Sequence, residues 1–524
     1  MPQTPAKSSV GSSERRQRVR TLLAFVLLQG VLYCLSLNLL PASGEETFTL
    51  SLSSQNAVRI LELLRGSIHA PLYFLLAHGW RALAGQDNPL TALRILSVII
   101  TVAATLSLDY RWLRKGSDTT RDWFLLLWTF SPCLLLFSRM AAPYSLAMCL
   151  AVLAASFARD YAGASWSGRR LGFLAGSLAA LFYTQYVAGI AIWAGVSIFL
   201  LMRRTHRPEA PFWKAWVLPN VLVLAICLPA LAGADWSRGA SGGNPLFELG
   251  YWLYSFAFGE SASVWLLSVT LLLGLPWLWL IFSGARWCGT WVWPALAVAA
   301  AGFAGVAQWN FYSSPAAGML FTLPLFIAAA AAGIEFRQRA GLAFGILLFG
   351  AGAAGIWFYF GARDFLNPAY LAPDREIAAS IVLHSNPAET MVWLDAAPDD
   401  SRAFEYYLPA VFRLRRVDSP GASEAARTEA ESSPVHDVWF VRRLSANSDT
   451  NAAGKLANEM RTHWYNHTMR PYVPLSPAHK ALLHWRAVLL RERRSDPPRY
   501  LYEVWKYERP MSDTARHSDG SSAP

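Results

Sequence analysis

Apolar runs about twenty residues long recur along this chain, parted by short segments rich in Arg, Lys, Pro and Gly. Roughly 20 helical residues are needed to cross about 30 Å of hydrocarbon, and a helix satisfies its own backbone where no water can reach. The chain is therefore expected to fold as a mainly α, polytopic membrane protein. Composition agrees: of 524 residues 54% are hydrophobic, only 15% are charged and 23 are Trp, too little polar surface to cover a soluble globule. The runs fall at 21–40, 90–110, 122–138, 142–158, 171–184, 186–202, 215–233, 263–282, 291–308, 315–334 and 340–360. That predicts about eleven transmembrane helices by length and apolarity. The first run is too long for a signal-peptide core and no small-residue cleavage site clearly follows it, so it reads as a retained helix.

Orientation follows from the cations. Lys7, Arg15, Arg16, Arg18 and Arg20 precede the first run, which places the N-terminus in the cytoplasm and the loop after the first helix outside. The breaks at 111–121, 159–170, 203–214, 283–289 and 335–339 are basic too and belong on the inner side. This holds only if 71–83 does not span, so that stretch is read as a short helix at the outer interface, with His69, His78, Trp80 and Arg81 as its polar handles. The C-terminus then lies outside. The net charge of +11 flanks the spans, which suits anionic membrane lipid rather than nucleic acid. Cys34, Cys133, Cys149, Cys227 and Cys288 all fall in spans or on the inner side, so the outer domain must fold without disulfides, and no CxxC metal pattern exists.

Beyond residue 360 the composition becomes that of a soluble module. Residues 376–383 and 478–494 have helical patterns, the second amphipathic and basic; 390–394, 435–441 and 500–507 read as strands. The expected organisation is a cytoplasmic basic segment at 1–20, a transmembrane domain at 21–360 with an outer loop at 41–89, a small periplasmic α/β domain at 361–510 and a disordered tail at 511–524. Residues 419–434 read as a mobile loop, and no internal repeat is visible.

On this topology the outer face gathers chemistry. Glu45 and Glu46 head the first outer loop, and His69, Arg94, Arg139, Tyr144, Tyr183, Gln185, Asp235 and Arg238 reach the same boundary from distant parts of the chain. Acids with arginines at one membrane level suit a lipid-phosphate substrate: a carboxylate takes a proton from an incoming hydroxyl, and a planar guanidinium holds a phosphate as charge builds on it. Each residue also has a plain structural role open to it. A Glu pair after a span is commonly solvated, His69 ahead of Pro71 can cap an interface, and Tyr is recruited to interfaces in any case. Arg94, inside its predicted span, needs an internal partner or a site. The Gly-rich stretch 239–243 is either a cover over the site or an ordinary flexible loop. No acid falls in the middle of a predicted span, which counts against a transporter.

Several blocks resemble a known family. Glu45-Glu46 is followed by His69-Ala70-Pro71-Leu72-Tyr73-Phe74-Leu75-Leu76-Ala77-His78, then Gly85, then Leu93-Arg94-Ile95-Leu96-Ser97. Further on stand Ser138-Arg139-Met140-Ala141-Ala142-Pro143-Tyr144-Ser145-Leu146, Phe182-Tyr183-Thr184-Gln185-Tyr186 and Phe404-Glu405-Tyr406-Tyr407-Leu408. In order and topology these are similar to the GT-C superfamily of polyprenyl-phosphate-sugar-dependent glycosyltransferases, especially bacterial relatives of protein O-mannosyltransferases and aminoarabinose transferases.

The resemblance implies an inverting glycosyltransferase of the bacterial inner membrane. It would move a sugar from a polyprenyl-phosphate donor to a hydroxyl of a cell-envelope glycan, lipid or protein at the periplasmic face. Glu45 takes the base position with Glu46 supporting it, and Arg139, Arg94 and, more weakly, Arg238 are the candidates to steady phosphate. No cofactor is required by the sequence; a divalent metal is compatible with it, though no metal ligands can be named. The chain departs from the family pattern where Glu45 replaces the usual Asp, Met140 a second acid, Ala142 an Arg and Gln185 a His. These departures keep a second reading open, a degenerate relative that binds polyprenyl-linked glycans without transferring them.

Overall fold

The computed structural model describes residues 12–85, 87–114, 116–163, 167–205, 211–233, 245–260, 264–288, 292–309, 315–361, 365, 370, 372–395, 398–417, 419–443, 456, 460, 466–474, 477, 480–481 and 500–509. The chain divides into two compact units, one of Met1–Leu39 with Thr49–Asp364, the other of Leu40–Phe48 with Phe365–Pro524. The segment carrying Glu45 and Glu46 thus packs with the C-terminal residues, whereas the sequence assigns it to the loop of the transmembrane domain.

The first unit is helical. It begins with α1 (Ser12–Cys34), α2 (Gly44–Ser53, whose first turns belong to the other unit), α3 (Ala57–Leu64), α4 (Leu72–Ala84) and α5 (Pro89–Leu108). Then come α6 (Asp118–Thr129), α7 (Pro132–Ser138), α8 (Tyr144–Gly163), α9 (Gly168–Phe182), α10 (Tyr186–Thr205) and α11 (Leu218–Gly233). The unit closes with α12 (Pro245–Phe258), α13 (Val264–Cys288), α14 (Val292–Trp309), α15 (Pro315–Gly318), α16 (Leu323–Phe336) and α17 (Gln338–Phe360).

Among the described residues five helices are long and apolar enough to cross a membrane: Pro89–Leu113, Tyr144–Gly163, Tyr186–Arg203, Trp213–Ala232 and Gln338–Phe360. Shorter apolar helices are Leu273–Ala285, Trp293–Val306 and Leu320–Phe336. Helix α4, at 13 residues, is too short to span.

Three expected spans differ, and one of them, the run at 315–334, is divided into α15, a 3₁₀ turn at Leu320–Thr322 and α16. The run at 21–40 stays helical only to Cys34 and leaves through Ser36, whose φ of 48° is left-handed. The run at 122–138 is two helices, because Pro132 cannot continue the hydrogen-bond ladder of α6 and restarts the chain as the first residue of α7. Ser131 caps that restart, its hydroxyl accepting from the N–H of Leu134 at 3.2 Å. Helices α2, α3 and α12 were not expected.

Polar pairs fix the register of the bundle. The indole N–H of Trp128 donates to Thr105 Oγ1 at 2.8 Å, Thr105 donates to Gln29 Oε1 at 2.8 Å, and the Tyr33 hydroxyl donates to the carbonyl of Thr129 at 3.2 Å. These join α1, α5 and α6. Thr101 donates to Ser145 Oγ at 3.2 Å and ties α5 to α8. Where all surroundings are apolar, packing and such bonds rather than hydrophobic burial drive helix association.

The second unit holds α18 (Asp374–His384), β1 (Thr390–Asp395), α19 (Pro398–Tyr407), β2 (Arg413–Arg416), α20 (Pro420–Ser432), β3 (Asp437–Arg443), β4 (Asn466–Pro474) and β5 (Tyr500–Glu508). The sheet order is β2-β1-β3-β5-β4, with β1 parallel to β2 and β3, and β5 antiparallel to β3 and β4. Both faces are covered: Val392 and Leu394 of β1 pack with Ile377 and Ile381, while Met391 and Trp393 pack with Ala426 and Ala430. This is the period-two alternation of a strand buried on both sides.

The strands expected at 390–394, 435–441 and 500–507 are present, as is the helix at 376–383. The loop expected at 419–434 is instead helix α20, started by Ser419, whose side chain accepts from the N–H of Ala422 at 3.3 Å, and by Pro420 in the first turn. Strand β2, Arg413-Leu414-Arg415-Arg416, escapes an apolar pattern because it is an edge, where charge guards against mispairing. Most of the helix expected at 478–494 and all of the tail at 511–524 lie outside the described residues.

Helices α13 and α16 approach each other closely. A Cβ on Gly284 would lie 1.8 Å from the carbonyl oxygen of Ala329, and one on Gly333 2.1 Å from that of Leu280. Only hydrogen fits there. Gly284→Leu and Gly333→Leu are each expected to cost at least about 1–3 kcal/mol through overpacking. The cost should appear as a lowered melting temperature in detergent, while Gly350→Leu, with open space around its Cβ position, leaves the melting temperature unchanged.

Candidate active site

Within the second unit, the two adjacent glutamates occupy different environments. Ser43-Gly44-Glu45-Glu46 opens α2 as a capping box: the N–H of Ser43 donates to Glu46 Oε2 at 3.0 Å, and the N–H of Glu46 donates to Ser43 Oγ at 3.3 Å. Glu46 is 1% exposed, and its carboxylate serves the helix N-terminus. Glu45, half-buried one residue earlier, takes no part in that box. Just before it, the N–H of Ala42 donates to the hydroxyl oxygen of Tyr407 at 2.7 Å. Two residues after Glu46, Phe48 lies under the guanidinium of Arg402 at 5.2 Å. The block Phe404 to Leu408 therefore steadies the acidic segment from α19.

In the first unit the two central arginines share one target. Arg94, in the second turn of α5, donates from Nη1 to the carbonyl of Leu37 at 2.9 Å. Arg139, which caps the C-terminus of α7, donates from Nη2 to the carbonyls of Leu35 at 2.8 Å and of Ser36. These are carbonyls past the end of α1, where the last turn of a helix leaves acceptors without internal partners and carries partial negative charge. Both side chains are 3% exposed. Arg139 also lies 5.2 Å from the ring of Tyr359 and 5.3 Å from that of Phe360. Its Nε and Nη1 are buried and have no hydrogen-bond partner among the described residues.

The sequence blocks interlock around this pair. Ser97 Oγ, one turn after Arg94, donates to the carbonyl of Met140, next to Arg139, at 2.8 Å. Tyr144, buried at the start of α8, packs edge-to-face on Phe137 with ring centroids 6.0 Å apart. A second junction joins two other blocks: the N–H of Leu72 donates to the carbonyl of Tyr183 at 2.8 Å, bringing the His69 segment to the turn before α10. There His69 is half-buried and packs edge-to-face on Phe74. Gln185 is buried and donates to the carbonyl of Gly318 at 3.2 Å, and the Tyr183 hydroxyl donates to the carbonyl of Ile226 at 3.0 Å. Met140 and Ala142 are both buried. Asp235 and Arg238 lie outside the described residues.

Three features escaped sequence reading. Arg81, taken as an interfacial handle, is buried and donates to the carbonyl of Leu50 at 2.9 Å and to Ser53 Oγ at 3.1 Å, capping the C-terminus of α2. Glu248 within α12 and Glu260 just after it are buried in a stretch to which no span was assigned, and Glu260 accepts from the Tyr251 hydroxyl. The capping box escaped as well, although its signal, Ser43-x-x-Glu46, stands in the sequence. Among the described residues no three His, Cys, Asp or Glu side chains converge as a metal-binding group.

No protein-family model matches the chain, and no characterised protein matches it in sequence. Solved structures do match. ArnT from Cupriavidus metallidurans in its apo state superposes with a TM-score of 0.51 at 11% identity, over 93% of this chain and 98% of that one. The same protein bound to undecaprenyl phosphate gives 0.50 at 11%, over 92% and 97%. The oligosaccharyltransferase AglB from Archaeoglobus fulgidus, in complex with an inhibitory peptide and a dolichol-phosphate, gives 0.50 at 12%, over 90% of this chain and 74% of that one. At such identities the likeness speaks to architecture, and it agrees with the motif order along the chain: this protein has the fold of the GT-C glycosyltransferases.

Proposed function

We propose that this chain is an inverting membrane glycosyltransferase that moves a sugar from a polyprenyl-phosphate donor to a hydroxyl of a cell-envelope glycan, lipid or protein at the periplasmic face. The observation that carries the proposal is the division between the two acids. The capping box engages Glu46, and Glu45 lies outside that box. The fold supports it, since ArnT has been solved with undecaprenyl phosphate and AglB with a dolichol-phosphate.

In the proposed step the acceptor hydroxyl gives its proton to the Glu45 carboxylate while its oxygen bonds to the anomeric carbon from the face opposite the phosphate. The bond from that carbon to the phosphate oxygen breaks, and the electron pair leaves with the polyprenyl phosphate. A guanidinium that meets the leaving oxygen stabilises the charge as it forms. The spare donors of Arg139 suit it for this, with Arg94 holding the same turn and Arg238 a weaker candidate; His69, Tyr144, Tyr183 and Gln185 are the candidates for contacts with sugar or prenyl groups.

The burial of Met140 and Ala142, where the family pattern carries charge, favours the second reading, a binder without transferase activity. Turnover decides between them. With a polyprenyl-phosphate-linked sugar and the native acceptor, Glu45→Gln should lower kcat by about 10²–10⁴-fold, as loss of a general base does. Glu46→Gln should retain most activity, because Gln also completes a capping box. Equal losses in the two variants would remove the assignment of Glu45, and donor binding by the wild type without any transfer would establish the second reading.

Arg139 carries a separate expectation. Arg139→Ala removes the donor from the carbonyl of Leu35 and one of two from that of Ser36, which also accepts from the N–H of Leu39 at 2.9 Å; it should cost about 1–3 kcal/mol for the acceptor left unmet, read as a fall in melting temperature. Arg139→Lys should recover much of that stability and little of the turnover, since an ammonium cannot reproduce a planar fork on phosphate.

A further inference from the structure

The basic end of the first unit holds a hollow whose lining includes none of the residues of the proposed transfer. It has a volume of about 400 Å³, within the usual range of roughly 300–1,000 Å³ for small-molecule cavities. Its walls are apolar, formed by Val152 and Ala155 of α8, Ile192 and Phe199 of α10, Val298 of α14 and Ala328 of α16. Arg121, Arg159 and Arg203 line it as well. A second hollow of about 690 Å³, between α13, α14 and α16, shares Ala295 and Leu325 with the first and has Arg337 in its wall.

The cations at this end fall into two classes. Arg121 is buried against Asp109 at 2.5 Å, Arg111 is paired with Asp160 at 3.0 Å, and Arg18 with Asp118 at 2.7 Å. Arg159, Arg203 and Arg337 have no carboxylate partner among the described residues. Arg159 donates to the backbone carbonyl of Arg111, Arg203 lies 6.0 Å from the ring of Phe199, and Arg337 donates to Ser283 Oγ at 3.0 Å and lies 4.5 Å from the ring of Trp279. Glu335, the acid beside Arg337, accepts from the hydroxyls of Ser117 and Thr120.

We infer that these hollows bind an anionic glycerophospholipid, one acyl chain in each, with its phosphate on Arg159, Arg203 and Arg337. Two adjoining apolar hollows fit a two-chain lipid better than a single prenyl chain. Arginines without a carboxylate partner among the described residues select a net negative headgroup over a zwitterionic one. This end bears the basic breaks that charge assigns to the cytoplasmic side, where anionic lipid gathers basic segments. The site is thus distinct from the acids and arginines of the proposed transfer and stands whether or not that proposal does.

The test is native mass spectrometry of the full chain, delipidated in detergent and offered phosphatidylglycerol, phosphatidylcholine of the same acyl chains, or undecaprenyl phosphate. Phosphatidylglycerol is expected to be retained on the order of tenfold better than phosphatidylcholine. The double variant Arg159→Gln, Arg203→Gln should remove that preference. Ala328→Leu, which narrows the first hollow, should weaken retention with the charges intact. Arg169→Gln, an exposed cation on α9 outside both hollows, should change nothing. Equal retention of the two phospholipids would overturn the inference, as would an equal loss in Arg169→Gln. Displacement of phosphatidylglycerol by equimolar undecaprenyl phosphate would overturn the choice of a two-chain lipid.

Discussion

Two buried arginines hold the end of the first helix. Arg94 comes from α5 and Arg139 from the end of α7, and together they take the carbonyls of Leu35, Ser36 and Leu37 as the chain leaves α1 through a left-handed residue. In apolar surroundings an unmet carbonyl costs several kcal/mol, so a helix cannot end there without donors. The guanidinium suits the task because it stays charged near lipid and carries five N–H groups in one plane. One turn of backbone thereby fixes α1, α5 and α7 to each other, and Ser97 on Met140 reinforces the junction. The same geometry leaves Nε and Nη1 of Arg139 as buried donors without a protein acceptor among the described residues.

From that turn the chain passes directly into the segment that packs with the C-terminal unit. There Tyr407 holds Ala42, Arg402 covers Phe48 and the capping box seats Glu46. Adjacent residues of the same type thus acquire different work. Glu46 neutralises helix-terminal N–H groups and is buried by doing so; Glu45 keeps a carboxylate outside that arrangement. The aromatic block near residue 407 gains a physical reason as well, since its tyrosine is a backbone acceptor for the acidic segment rather than simply a wall of the α/β module.

Much of this was legible in advance, and the misses have identifiable causes. The apolar runs marked most helices because length and apolarity are what a bilayer demands, and the three strands with alternating or continuous apolar residues were recognisable. The run at 122–138 hid a break because hydropathy does not register the lost N–H of Pro132. Residues 245–258 escaped because a Gly-rich stretch ahead of them reads as loop, and 419–434 because Ser, Pro and Gly open a helix as readily as they make a turn. Strand β2, with its three arginines, has no apolar signal of its own; it is recruited by pairing with β1.

By itself the sequence determined the helical class, the order of the family-like blocks and the short list of acids and arginines, because each of these depends on local composition or spacing. Tertiary structure alone decided that Arg94 and Arg139 converge on one turn, that Arg81 caps α2, and that the acidic segment belongs with residues hundreds of positions later. Those are pairings of groups far apart in the chain. Which carbonyl a buried arginine meets is set by where the helices end in space, and no local pattern carries that information.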